Sequence, residues 1–192
     1  MTDTIQIPLV QGGFTVIDAD DIGIVSGWRW HNAVFQNGDR YAYASIHGKT
    51  TSMHRWLLSN PTMQVDHING DGFDNRRSNL RLVTPQQNAW NRRLSVRNLC
   101  SKFKGVSSAK NGRWNVRVRT ESLCFAAQFS TEEHAGRAYD VIAVRLFGEF
   151  ARLNFAGEID LSREIVRRVF CRQRVTRRNM DHLIFEDTEA AR

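Results

Sequence analysis

Apolar and polar residues alternate in short runs over residues 5 to 50: IQIPLV, FTVID and YAYASIH. A period of two marks half-buried strands. The runs are separated by GG, NGD and HGK, which read as turns, and Asn37-Gly38 ahead of the Tyr41/Tyr43 alternation is a hairpin signal. SMHRWLLSN (52–60) reads as a short helix, stopped by Asn60 before Pro61. A strand is expected at Val65 to Ile68, then a loop, a second strand at Leu80 to Val83, and a helix. The helix start is well marked. Thr84 fits the N-cap, Pro85 the first helical position, and Gln87 completes a T-x-x-Q capping box.

Residues 94 to 102 (LSVRNLCSK) have no clear period and read as a linker. Beyond them FKGVSS, RWNVRVRT and SLCFAAQF are strand-like, the first pair joined at Asn111-Gly112. A helix is expected from Ser130, with an S-x-x-E box at Ser130/Glu133 and a stop near Gly148. Its apolar stripe runs through Ala135, Ala138, Ile142, Ala143 and Leu146. In RWNVRVRT, Trp114, Val116 and Val118 alternate with Arg113, Asn115, Arg117 and Arg119, so one face can pack on that helix while arginines line the other. SREIVRRVFCRQRVTRRNM reads as a basic amphipathic helix whose apolar side carries Ile165, Val166, Val169 and Phe170. The class is α+β, divided at 1–99, 101–155 and a basic helical extension, 156–192.

Charge narrows the partner. Over 192 residues the formal net charge is +7, which points to an acidic partner, nucleic acid ahead of anionic membrane. No apolar run approaches the roughly 20 residues of a membrane span, and MTDTIQIPLVQGG lacks the layout of a signal peptide. Cys100, Cys124 and Cys171 lie far apart, so neither a disulfide framework nor a zinc knuckle is expected. A reducing, cytoplasmic setting is the expectation.

Chemistry concentrates in VDHINGDGFDNRRSNLRLVTPQQN, residues 65 to 88. A calcium-binding helix–loop–helix register fails, because with Gly72 at its sixth position the first becomes His67 and the twelfth Ser78. Phosphodiester hydrolysis fits better. It needs a base for water and a cation to stabilise charge on the phosphate and leaving oxygen. Asp66 and His67 are adjacent on a predicted strand and so face opposite ways, one toward a metal and the other toward water. An imidazole of pKa about 6.5 suits a base near neutral pH. Asn88, in the first helical turn, can supply a second oxygen to a hard cation. Arg76, Arg77, Arg81, Arg92 and Arg93 frame the site as a polyanion requires.

The run VDHINGD…DNRRSNLRLVT…QN resembles the HNH endonucleases, in particular the amide-rich branch of phages and mobile elements. The resemblance implies a ββα-metal unit of two antiparallel strands, a loop and a helix around one magnesium or manganese ion. It implies Asp66 and Asn88 as metal ligands, His67 as general base, and Asn79 as the residue that holds the loop and orients the histidine. Asn88 departs from the final histidine of other branches. His54, Asn75 and Asn91 are candidates for support, although His54 reads more simply as a packed helix residue. His31 and His47 read as structural.

FKGV…GRW…F…TEEHAGRAYDVIAVRLFGEFARLNF resembles the plant Apetala-two/ethylene-response-factor DNA-binding domain, from about Lys102 to Phe155. That implies a three-stranded sheet in the major groove backed by one helix, with Arg113, Trp114, Arg117 and Arg119 at the DNA. Tyr139, Asp140 and Asn154 are expected to be architectural. Ser107, Ala109 and Arg117 depart from the plant pattern, so its target sequence does not carry over. The combined expectation is a metal-dependent endonuclease on double-stranded DNA, with no membrane role and no obligatory protein partner, and compatible with a homodimer. The alternatives are a non-catalytic DNA-binding regulator that uses the same scaffold, and an RNA-directed nuclease.

Overall fold

Each alternating run forms a strand in the computed structural model, which describes residues 3–35, 38–94, 100–120 and 124–155. Asn37 of the expected hairpin turn, most of the linker, Cys171 and the expected basic helix of 156–192 lie outside the described residues. The chain divides into two compact units, Met1–Arg97 with Phe147–Arg152, and Asn98–Leu146 with Leu153–Arg192. The architecture is mixed α+β, with several small antiparallel sheets and few helices.

In the first unit β1 (Thr4–Pro8) pairs antiparallel with β2 (Phe14–Asp18), and a short helix α1 (Ile22–Val25) follows. A three-stranded sheet comes next: β3 (His31–Val34), β4 (Arg40–Ile46) and β5 (Lys49–Ser52), in the order β3-β4-β5. His47 and Gly48 join β4 to β5 with φ of 49° and 76°, the two left-handed positions that match a tight hairpin to strand twist. Helix α2 (Met53–Leu57) is shorter than the sequence suggests, because Ser59 and Asn60 turn left-handed before Pro61. Leu9, Ile17, Val25, Trp30, Ala42, Ala44, Ile46, Met53, Leu57 and Leu80 form one buried cluster. That core is the rigid support on which the chemistry-bearing loop sits.

Strand β6 (Gln64–His67) pairs with β7 (Leu80–Val83), setting Asp66 opposite Arg81 and His67 opposite Leu80. Helix α3 (Pro85–Asn91) starts with the capping box seen in the sequence: Thr84 Oγ1 accepts from the Gln87 amide at 3.2 Å, and Gln87 Oε1 accepts from the Thr84 amide at 2.9 Å. Such a cap is worth about 1 kcal/mol, enough to hold the start of a helix only two turns long.

In the second unit β8 (Val106–Ser108), β9 (Trp114–Arg119) and β10 (Cys124–Phe129) form an antiparallel sheet with β9 central. Val116 and Val118 are buried while Arg117 and Arg119 are exposed. Helix α4 (Glu132–Phe147) buries Ala135, Ala138, Ile142 and Ala143, with Leu146 half-buried. Its start is displaced from the expected Ser130/Glu133 box. Thr131 Oγ1 accepts from the His134 amide at 3.2 Å, and Glu133 pairs with Arg137 one turn on. Gly105 (φ +75°) lies so close to the Tyr139 ring that a side chain there would collide with it. Asp140 accepts from the amides of Asn154 and Phe155, and Asn154 Nδ2 donates to the Lys104 carbonyl, so these residues tie the helix to the sheet entrance. Among the described residues no helix is long and apolar enough to cross a membrane.

Candidate active site

Asp66, His67, Asn88 and Asn91 line one cleft of about 100 Å³ in the first unit, together with Asp39, Tyr41, Gly70, Gly72, Arg92 and Arg93. Asp66 and His67 are neighbours, yet both reach it. Their side chains have different partners there, Asp66 with Arg81 and Asn91 and His67 with Asn75, Tyr41 and His54.

His67 is buried, and its Nε2 lies 3.2 Å from Asn75 Oδ1. Asn75 Nδ2 donates to Thr15 Oγ1 at 2.7 Å and to the Gly72 carbonyl, which fixes Oδ1 as the acceptor toward the imidazole. Nε2 therefore carries the proton, and Nδ1 keeps the lone pair. Burial pushes the His67 imidazole below its ordinary value, opposed by the Asn75 bond and by Asp66, Asp71 and Asp74. It is thus neutral near pH 7 and competent to accept a proton. Asn79 does not reach the ring. Its Oδ1 accepts from the Asn69 amide, and its Nδ2 donates to Asn69 Oδ1 and the Asp74 carbonyl. Loop bracing thus falls to Asn79, and contact with the imidazole to Asn75.

His54 also stands beside the base, with ring centroids 4.9 Å apart edge to face, and Ser52 Oγ 3.0 Å from its Nε2. Burial, with His67 and Arg55 adding to it, lowers its pKa to about 3. Tyr41 packs against both rings, and burial, with Asp39 next in weight, raises its pKa to about 12.

Asp66 is the buried carboxylate of the cleft. Arg81 grips Oδ2 through Nε and Nη2 at 3.0 and 2.9 Å, and Asn91 Nδ2 reaches both oxygens at 3.0 Å. The same Asn91 nitrogen donates to the His67 carbonyl at 2.9 Å, so Asn91 fastens α3 to β6. Asn88, one helical turn earlier, donates Nδ2 to Gln64 Oε1 at 2.7 Å, a bond that does not use its amide oxygen. Among the described residues no three His, Cys, Asp or Glu side chains cluster as a metal site. The Asp66 carboxylate and the Asn88 amide oxygen are hard oxygen atoms, which a hard divalent cation could use and a thiophilic ion would not prefer.

The basic frame is split. Arg76 pairs with Asp74 at 2.6 Å, Arg77 with Asp21 at 2.7 Å, and Arg81 with Asp66. Arg81 is only 12% exposed and is paired with the Asp66 carboxylate. Arg92 and Arg93 face the cleft. In the second unit Arg117 and Arg119 are exposed, and Arg113 and Trp114 are half-buried.

The HNH endonuclease family model matches residues 56–90, the stretch that carries Asp66, His67, Asn75, Asn79 and Asn88. An uncharacterized HNH endonuclease of Acanthamoeba polyphaga mimivirus is 32% identical over 152 residues, covering 75% of this chain and 76% of that protein. The chain belongs to the HNH endonuclease family. Protein 3.8 of Escherichia phage T7 is 31% identical to this HNH chain over 98 residues, 46% of this chain and 73% of that protein. A different likeness covers less: an AP2/ERF and B3 domain-containing protein of Oryza sativa is 41% identical over 58 residues, 30% of this chain and 16% of that protein.

Proposed function

We propose that this HNH protein is a divalent-metal-dependent endonuclease that hydrolyses phosphodiester bonds of double-stranded DNA, with residues 1–99 as the catalytic domain and 101–155 as an AP2/ERF-like DNA-binding module. The observation that carries the reading is the convergence of Asp66, His67 and Asn88 on one cleft with the imidazole held through Nε2.

Asp66 and the Asn88 amide oxygen would hold one magnesium or manganese ion, in a ββα-metal arrangement of β6, β7 and α3. When bound, that ion supplies positive charge against the phosphate oxygens and the leaving 3′ oxygen. His67 Nδ1 would take a proton from the attacking water as its oxygen bonds to phosphorus; the bond from phosphorus to the 3′ oxygen breaks, and that oxygen takes a proton from solvent, leaving a 5′ phosphate and a 3′ hydroxyl. Asn75 keeps the ring in the tautomer whose Nδ1 carries the lone pair, and Tyr41 and His54 pack against it. Asn79 shapes the loop, while Arg81 and Asn91 point the Asp66 carboxylate. Arg92 and Arg93 receive the backbone near the cut, and Arg117 and Arg119 carry the contacts of the second unit, with Arg113 and Trp114 beside them. Arg76 and Arg77 are already matched by carboxylates and add little net field.

Incubating the full chain with supercoiled plasmid and magnesium or manganese tests the reading. Wild type is expected to nick or linearise the plasmid, and His67→Ala to lose activity by about a hundredfold or more. Equal cleavage by the two proteins overturns the assigned chemistry. Salt-sensitive DNA binding without cleavage under either ion supports the non-catalytic regulator instead.

A further inference from the structure

One cationic residue that the motif does not contain comes up against Gly70, a residue that lines the cleft. Arg152 belongs to the first unit with Phe147–Glu149–Phe150. Phe147 stacks on Trp90 with centroids 4.5 Å apart and planes at 16°. The Glu149 carbonyl accepts from Arg81 at 2.9 Å, and the Arg81 guanidinium lies 4.4 Å from the centre of the Phe150 ring. So anchored, Arg152 donates Nη1 to the Asn69 carbonyl at 2.9 Å.

Gly70 shows how close the approach is. Its φ is +72°, and a β-carbon on it would lie 2.5 Å from Arg152 Nη1 and 3.3 Å from Arg93 Nε. Two guanidinium groups thus converge on one glycine, and that glycine lines the cleft with Asp66 and His67. Among the described residues neither arginine is in an ion pair, whereas Arg76, Arg77 and Arg81 each have a carboxylate. Asp66 is the acidic group that acts on Arg152, and it is already paired with Arg81. Burial first, and the Arg93 charge second, pull the Arg152 guanidinium below its ordinary value. Two like charges brought together with only the shared Asp66 to offset them are unfavourable, and a phosphodiester relieves this by offering two acceptor oxygens to planar forks. The single bond to Asn69 uses one of five donors on Arg152.

We propose that Arg93 and Arg152 form a two-guanidinium clamp for one backbone phosphate of the DNA strand lying in the cleft, beside the phosphate that is cut; the second half of that statement rests on the nuclease reading above. The clamp positions the strand against His67 and takes no part in bond breaking.

The test is the salt dependence of binding by the full chain to a short fluorescein-labelled DNA duplex, in EDTA so that no cleavage occurs. Arg93→Gln, Arg152→Gln and the double variant are compared with wild type. Glutamine at 152 keeps a donor group near the Asn69 carbonyl, and among the described residues Arg93 makes no hydrogen bond or ion pair, so melting temperatures are expected to stay close to wild type. The slope of log affinity against log salt is expected to fall by about 0.9 for each arginine that contacts phosphate. Wild-type slopes in all three variants overturn the clamp, as does weakened binding at 152 without a change of slope, which marks a purely structural role. The plasmid assay separates the two claims. Reduced slopes with no cleavage by wild type leave the clamp and remove the nuclease, and His67-dependent cleavage with unchanged slopes does the reverse.

Discussion

Asn75 Oδ1 sits 3.2 Å from His67 Nε2, and the amide nitrogen of the same side chain is held by Thr15 and Gly72. A fully buried amide thereby dictates which imidazole nitrogen carries the proton. Asn75→Ala removes that choice and is expected to lower cleavage by about a hundredfold or more, within the range that general-base catalysis contributes. It also leaves Thr15 and Gly72 with a lost partner, at about 1–3 kcal/mol. Single-turnover rates on protein shown to be folded by circular dichroism check it. A full rate would mean that the ring is oriented by something else.

The pH profile follows from burial of the base. Because burial lowers the His67 pKa, the neutral, proton-accepting form persists below the ordinary value of about 6.5. Cleavage is expected to hold its rate as pH falls from 8 through about 6.5 and to decline only at more acidic pH. A half-maximal point above 6.5 would contradict that environment.

Arg81 and Asp66 are 12% and 9% exposed at their side chains, so removing the cation strands a buried carboxylate. Arg81→Met is expected to destabilise the metal-free protein by about 3 kcal/mol. If the carboxylate binds magnesium, the ion replaces the missing charge, and its stabilising effect is expected to be larger in the variant than in wild type. Thermal melts with and without magnesium measure both effects. Identical increments argue against Asp66 as ligand.

His54 links the site to acid stability. Its folded pKa of about 3 lies below the unfolded value of 6.5. The stabilisation is complete above pH 6.5 and is lost as pH falls from there toward 3, since the unfolded chain takes up the proton first. His54→Phe keeps an aromatic ring against Tyr41 and His67. Between those limits its unfolding free energy is expected to fall less steeply with decreasing pH than that of wild type, by an amount on the order of a few kcal/mol. Parallel curves from urea titrations at several pH values would show that His54 is not buried neutral.

The parts legible in the sequence are the local ones. Thr84, Pro85 and Gln87 announce the start of α3 because a capping box spans four residues of backbone. The strand pair of 64–67 and 80–83 follows from alternation on either side of a glycine-bearing loop. Long-range pairings are not legible. Asn75 and Thr15 are far apart in the chain, and neither has a spacing that reports the other. Arg81 reads as a substrate contact until the β6–β7 register sets it against Asp66. The proximity of Arg152 to Gly70 depends on how a later segment anchors itself, through Phe147 on Trp90 and Phe150 against Arg81.

Manganese binding by the full-length protein, followed by the electron paramagnetic resonance of the free ion, tests the heart of the account. Wild type is expected to bind one ion at the cleft, Asp66→Ala to lose it, and Asn88→Ala to weaken it by about tenfold or more. Undiminished uptake by Asp66→Ala would contradict the proposal that a strand carboxylate and a helix amide hold the ion beside His67.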